Sequence, residues 1–388
     1  MKKKIAIFHG PMVMGGAEKA LLNLLEHLDY SRYDVTLWLK DRTGELLSQV
    51  NPGICVRCWG EHLDEKYRSF ALKLLKQGKV WEFLYSFFFG ALSKAFTKNP
   101  QRAKYYQLKS RLVRSGERYD AAILFQALNI QYLPCFLALM KTSNRIAWLH
   151  GTFAVPPSKE DVGRFRSYYG QFDHIVCVSE GVKAIHAGYY PELVDRMTVI
   201  YNLQDIRQVF DSAREAITEQ FDGITLVTVG RLSREKGQDM IPAIAAELRS
   251  SGCQFKWYVV GDGPTRPTVE TKIRDMKLDD YVFLVGTKQN PYPYISGCTL
   301  YVQPSYQEGF CVTTFEAKIL QKRIVVTDVP GMREQFTEQM AFFAEPTVPS
   351  LVDAIQRALA APEENIVHEP VTEEFNRREL EKINKLLG

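Results

Sequence analysis

The chain has 388 residues and a formal net charge of +4 at pH 7, with 46% hydrophobic and 24% charged residues. This length exceeds one ordinary core and suits two domains of about 150–200 residues each, with the composition of a soluble globular protein. No apolar run approaches the ~20 residues that span a bilayer, and the first residues indicate a strand rather than a signal peptide, so we expect a cytoplasmic protein.

Short apolar runs rich in Val and Ile alternate with helical patterns along most of the chain. The first series of predicted strands comprises Ile5–His9, Val35–Leu39, Ala121–Phe125, Ile146–His150, Ile175–Ser179 and Thr198–Asn202. The second series comprises Ile224–Val229, Lys256–Val260, Val282–Val285, Leu300–Gln303 and Ile324–Thr327. Continuous apolar strands between helices indicate parallel sheets that are buried on both faces.

These two series predict two Rossmann-like α/β domains. We expect residues 1–203 to form the first domain and residues 204–365 the second, because the stretch Leu203–Gly223 between the series is charged and has no strand pattern. Residues 366–388 would contain a C-terminal helix that could cross back to the first domain. An amphipathic pattern predicts this helix over Glu373–Leu387.

A basic and aromatic insertion of about residues 62–114 interrupts the first series. Between residues 66 and 114, twelve Lys or Arg accompany a single acid, so this segment carries +11 and the remainder of the chain −7. Its aromatic residues include Trp81, Tyr85, Phe87–Phe89 and Phe96. A local patch of this kind points to a local partner and not to nucleic acid.

Two interpretations of this insertion remain open. Basic residues attract anionic headgroups and aromatic side chains settle at the interface, which favours docking on an anionic membrane surface, the inner face of the cytoplasmic membrane. Alternatively, the aromatic residues form the core of a helical insertion and the lysines are its solvated face.

No metal or other cofactor is expected from the sequence. Of the seven cysteines, only Cys55 and Cys58 form a CxxC pair, and no second pair completes a zinc site. We therefore expect reduced thiols. The chain also has no Asp-x-Asp motif.

Two glycine-containing loops carry candidate functional residues. Gly15 and Gly16 follow the first predicted strand, where paired glycines let the backbone approach a ligand and the free amides of the next helix favour an anion. Arg231 and Lys236 lie on a loop between glycines after the strand Ile224–Val229, where an Arg fork and a compact Lys charge can clamp a diphosphate. Taken singly, the first loop is equally a tight turn and the second a solvated charged loop.

A third loop carries two carboxylates beside a predicted helix start. Glu308 and Glu316 are separated by seven residues, and the amides of Gly309 to Val312 would open the helix that carries Glu316. Carboxylates near phosphates are unfavourable unless they bind another group, such as sugar hydroxyls. A nucleotide sugar offers phosphates to the amides and hydroxyls to the glutamates.

The motifs GRLSREKG, GDGP and PSYQEGF with the later Glu316 together resemble the retaining GT-B glycosyltransferases of family four, the glycosyl transferases group 1. The resemblance covers the second domain and extends more thinly over the first, through GGAEK and Leu149-His150-Gly151. It implies the α/β fold called GT-B, in which two Rossmann-like domains with parallel sheets face each other across a cleft.

The resemblance also implies roles for individual residues. Arg231 and Lys236 would hold the donor diphosphate, and Glu316 would bind the ribose. His150 and Glu308 would be catalytic residues that contact the donor sugar. The remaining assignments are diphosphate contacts from Gly309, Phe310 and Cys311, a nucleobase region at Gly286, Thr287 and Lys288, and an acceptor side at Gly15 and Gly16. Cys311 stands where the family often has glycine.

The implied activity is metal-independent transfer of a hexose-type sugar with retention of configuration. The donor would be a nucleoside-diphosphate sugar, with UDP favoured and GDP possible, and the acceptor a glycan or lipid-linked molecule of bacterial surface polysaccharide assembly. A sugar-nucleotide epimerase of similar fold and a non-catalytic nucleotide-sugar-binding partner subunit remain alternatives. Release of the nucleoside diphosphate in the presence of an acceptor distinguishes the three.

Overall fold

The structure, a computed structural model, describes residues 2–59, 117–153, 156–219 and 221–388. The predicted insertion at about 62–114 lies outside the described residues. The chain divides into two compact units. The first comprises Met1–Val178, Ile185–Ile200 and Leu380–Gly388, and the second comprises Ser179–Ala184 and Tyr201–Glu379. Within the described residues, no helix is long and apolar enough to cross a membrane.

The first unit contains a seven-stranded parallel sheet with the order β3-β2-β1-β4-β5-β6-β7. Its strands are β1 (Lys3–His9), β2 (Tyr33–Leu39), β3 (Cys55–Cys58), β4 (Ala121–Leu124), β5 (Arg145–Leu149), β6 (His174–Cys177) and β7 (Met197–Val199). Its helices are α1 (Gly16–His27), α2 (Tyr132–Leu139) and α3 (Lys159–Tyr169). The central strand β1 pairs with β2 and β4, and its residues from Ile5 to Phe8 are fully buried, as a strand covered on both faces must be.

The second unit contains a six-stranded parallel sheet with the order β10-β9-β8-β11-β12-β13. Its strands are β8 (Ile224–Val229), β9 (Phe255–Val260), β10 (Val282–Gly286), β11 (Leu300–Gln303), β12 (Ile324–Thr327) and β13 (Phe342–Ala344). Two helices, α4 (Glu180–Tyr189) and α12 (Glu373–Leu387), are divided between the units. The other helices are α5 (Ile206–Ser212), α6 (Ile241–Ser250), α7 (Arg266–Asp275), α8 (Tyr292–Gly297), α9 (Val312–Ile319), α10 (Pro330–Arg333) and α11 (Val348–Ala360).

Residues of the second sheet alternate between two hydrophobic cores. Leu226, Leu300 and Val302 belong to one cluster, whereas their neighbours Val227 and Tyr301 belong to the other. Because successive side chains of a strand point to opposite faces, this alternation shows that both faces of the sheet are covered. The predicted α/β class with two parallel sheets is confirmed.

The prediction of eleven strands was incomplete, because the structure contains β3 and β13 as well. Both lie at a sheet edge and are short, with four and three residues. In β3, Arg57 interrupts the apolar pattern, and β13 has only three residues, so neither strand provides an apolar run of the length on which the prediction depended. The final helix α12 spans Glu373–Leu387, the range that the amphipathic pattern predicted. All seven cysteines are free thiols.

Candidate functional site

Each sheet has a switch point at its carboxyl edge. In the second unit, β8 lies between β9 and β11, so the connections that leave β8 and β11 depart in opposite directions. Open α/β sheets bind ligands at such a point. The loop after β8 carries Arg231 and Lys236, and the loop after β11 carries Glu308. The fold therefore brings these two predicted loops together.

The loop after β8 turns sharply at Gly237. Two short 3₁₀ turns, Arg234–Lys236 and Gln238–Met240, meet at this residue, whose φ is +67°. A Cβ at Gly237 would overlap the carbonyl oxygen of Pro304, which immediately precedes the Glu308 loop. Glycine is required here for both reasons, and the close approach fixes the two loops against each other.

We expect Gly237→Ala to destabilise the second unit more than Gly223→Ala. Gly223 also has a positive φ, of +69°, but a Cβ there has no neighbour within 4 Å. The control variant Gly223→Ala should lower the free energy of unfolding by only ~1–2 kcal/mol, the cost of placing alanine at a positive φ. Gly237→Ala should lower it further, because its Cβ must also displace the backbone at Pro304. Urea unfolding of both variants measures the difference. Equal losses would contradict the predicted contact.

Arg231 projects from this loop with 65% of its side chain exposed. Its guanidinium donates to Glu235 Oε1 over 2.9 Å, and the Ser233 hydroxyl donates to the same oxygen over 2.7 Å. The sequence did not predict this pairing with a carboxylate of the same loop. An exposed pair of this kind is weak, so the guanidinium can be shared with an anionic ligand at little cost.

Lys236 is bound to Glu308 through both carboxylate oxygens. The ammonium lies 2.8 Å from Oε1 and 2.9 Å from Oε2, and the Glu308 side chain is only 6% exposed. Burial alone would lower the pKa of Lys236, but the adjacent Glu308 carboxylate outweighs it and raises that pKa. The predicted phosphate-binding cation and the predicted sugar-binding carboxylate thus form one ion pair.

Helix α9 begins directly after this pair. Cys311 is its N-cap residue and the helix starts at Val312, so the first amides of α9 have no intrahelical acceptor. The Cys311 side chain is buried, and burial raises the pKa of its thiol. Phe310 packs on Phe315, with ring centroids 5.3 Å apart. Gly309 lies against Gly331, because a Cβ added at Gly331 would lie only 2.7 Å from the Gly309 carbonyl oxygen.

Glu316 lies within α9 and is 2% exposed. The hydroxyl of Tyr292 donates to its Oε1 over 3.1 Å. Burial, followed by the nearby Glu316 carboxylate, raises the pKa of Tyr292 well above its usual value, so this tyrosine remains a hydrogen-bond donor. The carboxylate is therefore held in one orientation.

The predicted nucleobase region begins at the last residue of β10. Gly286 has a φ of +74° and its carbonyl accepts a hydrogen bond from Gly261. Thr287 comes next in the loop, and Lys288 forms an ion pair with Glu219 at 3.3 Å. This loop starts at the same sheet edge as the Arg231 loop.

In the first unit, the switch point lies between β1 and β4. His9 ends β1, and His150 follows β5 at the same edge. The His150 ring lies 4.4 Å from the Phe125 ring, and its Nε2 is buried without a hydrogen-bond partner among the described residues. Burial and the neighbouring His9 lower the pKa of His150 to about 3, so the imidazole is neutral at neutral pH.

Gly15 and Gly16 form the start of α1 at this edge. Gly15 is the N-cap residue and has extended backbone, with a φ of −166°. The carboxylate of Glu18 lies against Gly15, and Gln126 donates to its Oε1 over 2.8 Å. The structure therefore places a buried carboxylate at the glycine pair where the sequence indicated only amides and glycines.

His9 was not among the predicted site residues. It is fully buried at the end of β1. Its Nε2 lies 3.9 Å from Glu18 Oε1. A histidine at the carboxyl end of a central strand was the available signal, shared with His150. No group of three or more His, Cys, Asp or Glu side chains suited to a metal occurs in the described part of the chain.

The buried His9 predicts a loss of stability in mild acid. Burial lowers the pKa of His9 to about 4, so the unfolded chain binds this proton first as the pH falls below the unperturbed value of about 6.5. Stability is therefore fully present above pH 6.5 and is lost between about pH 6.5 and pH 4. Between pH 7 and pH 5, the free energy of unfolding should therefore decrease by about 2 kcal/mol less in His9→Asn than in the wild type.

Urea unfolding of the wild type and His9→Asn at both pH values measures this effect. Between pH 7 and pH 8 the two proteins should change alike, which provides the control. An unaltered acid dependence in the variant would show that His9 is not responsible.

Residues 209–368 match the family described as Glycosyl transferases group 1. The matched range lies within the second unit and contains both loops at its switch point. The similarity to the glycosyl transferases group 1 family therefore lies in the unit that carries these loops.

Two relatives with partial similarity to this chain have names that describe glycosyltransferases. The chain is 29% identical over 193 residues to one component of the human phosphatidylinositol N-acetylglucosaminyltransferase, covering 48% of this chain and 38% of that protein. It is 28% identical over 141 residues to the Campylobacter jejuni N-acetylgalactosamine-N,N'-diacetylbacillosaminyl-diphospho-undecaprenol 4-alpha-N-acetylgalactosaminyltransferase, covering 36% and 37%. The matches span less than half the length of these relatives.

Among solved structures, HepE from Anabaena in complex with UDP is similar at a TM-score of 0.67 and 17% identity. The similarity covers 99% of this chain and 100% of HepE. At this identity it shows the fold, which is the predicted GT-B fold.

Proposed function

We propose that the protein is a glycosyltransferase that takes a sugar from a nucleoside-diphosphate sugar bound in the second unit. The observation that carries this proposal is the Lys236–Glu308 ion pair at the switch point of the sheet. An ammonium has three donors, and two are directed at Glu308. The third can be given to a phosphate oxygen while the carboxylate beside it accepts a sugar hydroxyl.

The surrounding residues support the same ligand. Arg231 extends from the same loop as a fork suited to phosphate, and the loop Gly309–Cys311 leads into the start of α9. Glu316, fixed by Tyr292, suits the ribose hydroxyls. Lysine, arginine and helix amides would together stabilise the leaving diphosphate without a metal.

UDP is the proposed nucleotide, with GDP as the alternative. The similar HepE was solved with UDP and also with UDP-glucose. A thermal-shift screen against UDP, GDP and a panel of their sugars tests the choice, since a ligand at 100 times its Kd should add ~2.7 kcal/mol. Stabilisation by neither series would refute the proposed donor site.

The finer proposal is a retaining hexosyltransferase that acts on a glycan or lipid-linked acceptor in bacterial surface polysaccharide assembly. In the first unit, His150 would face the donor sugar as a neutral imidazole, and Gly15 and Gly16 would line the acceptor side. The names of the two relatives include the lipids phosphatidylinositol and diphospho-undecaprenol. NMR of the purified product reports its anomeric configuration, and inversion would contradict retention.

We propose peripheral association with the cytoplasmic membrane through the basic insertion. The support is the +11 charge and the aromatic residues between positions 66 and 114. Sedimentation with liposomes should show binding that requires anionic lipid and falls steeply as salt rises. Absence of binding at low salt to vesicles rich in anionic lipid would exclude this docking and favour a soluble acceptor.

A further inference from the structure

Strand β11 and the loop after it carry three polar residues at every second position. Tyr301, Gln303 and Ser305 are all fully buried. The intervening Leu300 and Val302 belong to the hydrophobic core on the opposite face. Burying polar side chains is costly unless they are hydrogen-bonded, so three consecutive ones on one face need a physical reason.

These three side chains form a continuous row of hydrogen bonds. The Tyr301 hydroxyl donates to Gln303 Oε1 over 3.0 Å, and Gln303 Nε2 donates to the Ser305 hydroxyl oxygen over 3.0 Å. Ser305 in turn donates to Glu308 Oε1 over 2.6 Å. Tyr301 also lies 3.4 Å from the Val229 carbonyl, but its shorter hydrogen bond is to Gln303, and Gln303 and Ser305 both donate towards the Glu308 carboxylate. The hydrogen bonds of such a row polarise one another, which strengthens the last one.

The row gives the Glu308 carboxylate a second hydrogen-bond partner besides Lys236. Lys236 contacts both oxygens of Glu308, while Ser305 contacts Oε1 alone. Ser305 is itself held by Thr327, whose hydroxyl donates to the Ser305 carbonyl over 2.5 Å. A ligand phosphate would compete for Lys236 but has no means of competing for Ser305, which is fully buried.

We propose that Ser305, supported by Gln303 and Tyr301, is a positioning residue that holds the Glu308 carboxylate in place for the donor sugar while Lys236 binds the diphosphate. This inference deepens the proposed function and rests on it. It predicts that the row affects turnover and not nucleotide affinity, because the row acts on the sugar-binding carboxylate alone.

The test compares Ser305→Ala with Thr228→Val. Thr228 is an equally buried hydroxyl on β8 that donates to the Val302 carbonyl over 2.6 Å but does not belong to the row. We expect Ser305→Ala to lower kcat about tenfold. The Kd for UDP should remain within twofold of the wild-type value. Thr228→Val should lower the free energy of unfolding about as much as Ser305→Ala does, but its kcat should equal that of the wild type. Equal kcat losses in the two variants would overturn the proposal.

A double variant tests whether Ser305 acts through Glu308. Once Glu308→Gln has removed the charge, adding Ser305→Ala should cost little further kcat, whereas independent effects would multiply and contradict the proposal. Should Ser305→Ala fail to fold, Gln303→Leu removes the donor to Ser305 outside the loop and should lower kcat in the same direction. An unchanged kcat in Gln303→Leu would then contradict the proposal that this row of hydrogen bonds positions Glu308. Failure of the proposed function is distinct, because the wild type would then bind neither UDP nor GDP.

Discussion

Lys236→Ala is expected to weaken UDP binding about 10–100-fold and to destabilise the second unit as well. Charge-assisted hydrogen bonds to phosphate contribute roughly 1.5–3 kcal/mol, which sets the loss of affinity. The loss of stability arises because Glu308, 6% exposed, would keep a charge without its ammonium. It should reach up to about 3 kcal/mol, reduced because the Lys236 side chain is 24% exposed.

Arg231→Ala separates the two effects. Its pair with Glu235 is exposed, so we expect nucleotide affinity to fall about as far as in Lys236→Ala while stability stays within about 1 kcal/mol. Arg357→Ala is the matched control, since Arg357 forms a similar pair with Asp353 on α11 and is 52% exposed. Calorimetric titration with UDP and GDP measures all three variants. Wild-type affinity in both Lys236→Ala and Arg231→Ala would place the donor site elsewhere.

The double variant Lys236→Met with Glu308→Gln provides a further control. Removing both charges leaves no uncompensated carboxylate, so stability should recover while nucleotide affinity remains low. Recovery of affinity together with stability would mean that Lys236 acts only on folding.

Glu308→Gln and Glu316→Ala are expected to show opposite kinetic patterns. Glu308 is assigned to the donor sugar, so its charge matters as positive charge develops on the sugar, and Glu308→Gln should lower kcat about 100-fold or more. The Kd for UDP should change much less. Glu316 is assigned to the ribose, so Glu316→Ala should weaken UDP about tenfold or more even without a sugar.

Measuring kcat at saturating donor together with the Kd for UDP distinguishes these roles. Tyr292→Phe is a milder substitution at the same site, because it removes the hydroxyl that orients Glu316 and leaves the carboxylate in place. It should weaken UDP less than Glu316→Ala does. The reverse pattern, with Glu308→Gln acting on UDP affinity and Glu316→Ala on kcat alone, would interchange the two assignments.

The sequence predicted the central strands well because continuous apolar runs are the direct signature of strands buried on both faces. It missed β3 because Arg57 interrupts that strand's apolar pattern, and it missed β13 because a run of three residues is too short to distinguish from a loop. The start of α9 followed from the loop residues before Val312. Local patterns therefore carried most of the fold.

The contacts within the site were harder to predict because they join distant parts of the chain. Lys236 and Glu308 are 72 positions apart, and only the pairing of β8 with β11 brings their loops together. The buried row that ends at Ser305 left a signal, a polar residue at every second position of an apolar strand. His9 left none beyond its place at the end of β1.

Amide hydrogen exchange with and without UDP or GDP locates bound nucleotide on the chain and does not require an acceptor. We expect protection in the peptides that contain residues 230–238 and 304–317, the two loops at the switch point of the second sheet. Lys236→Ala should abolish it at the same nucleotide concentration. Protection confined to other peptides, or none at millimolar UDP and GDP, would contradict a donor site built on the Lys236–Glu308 pair.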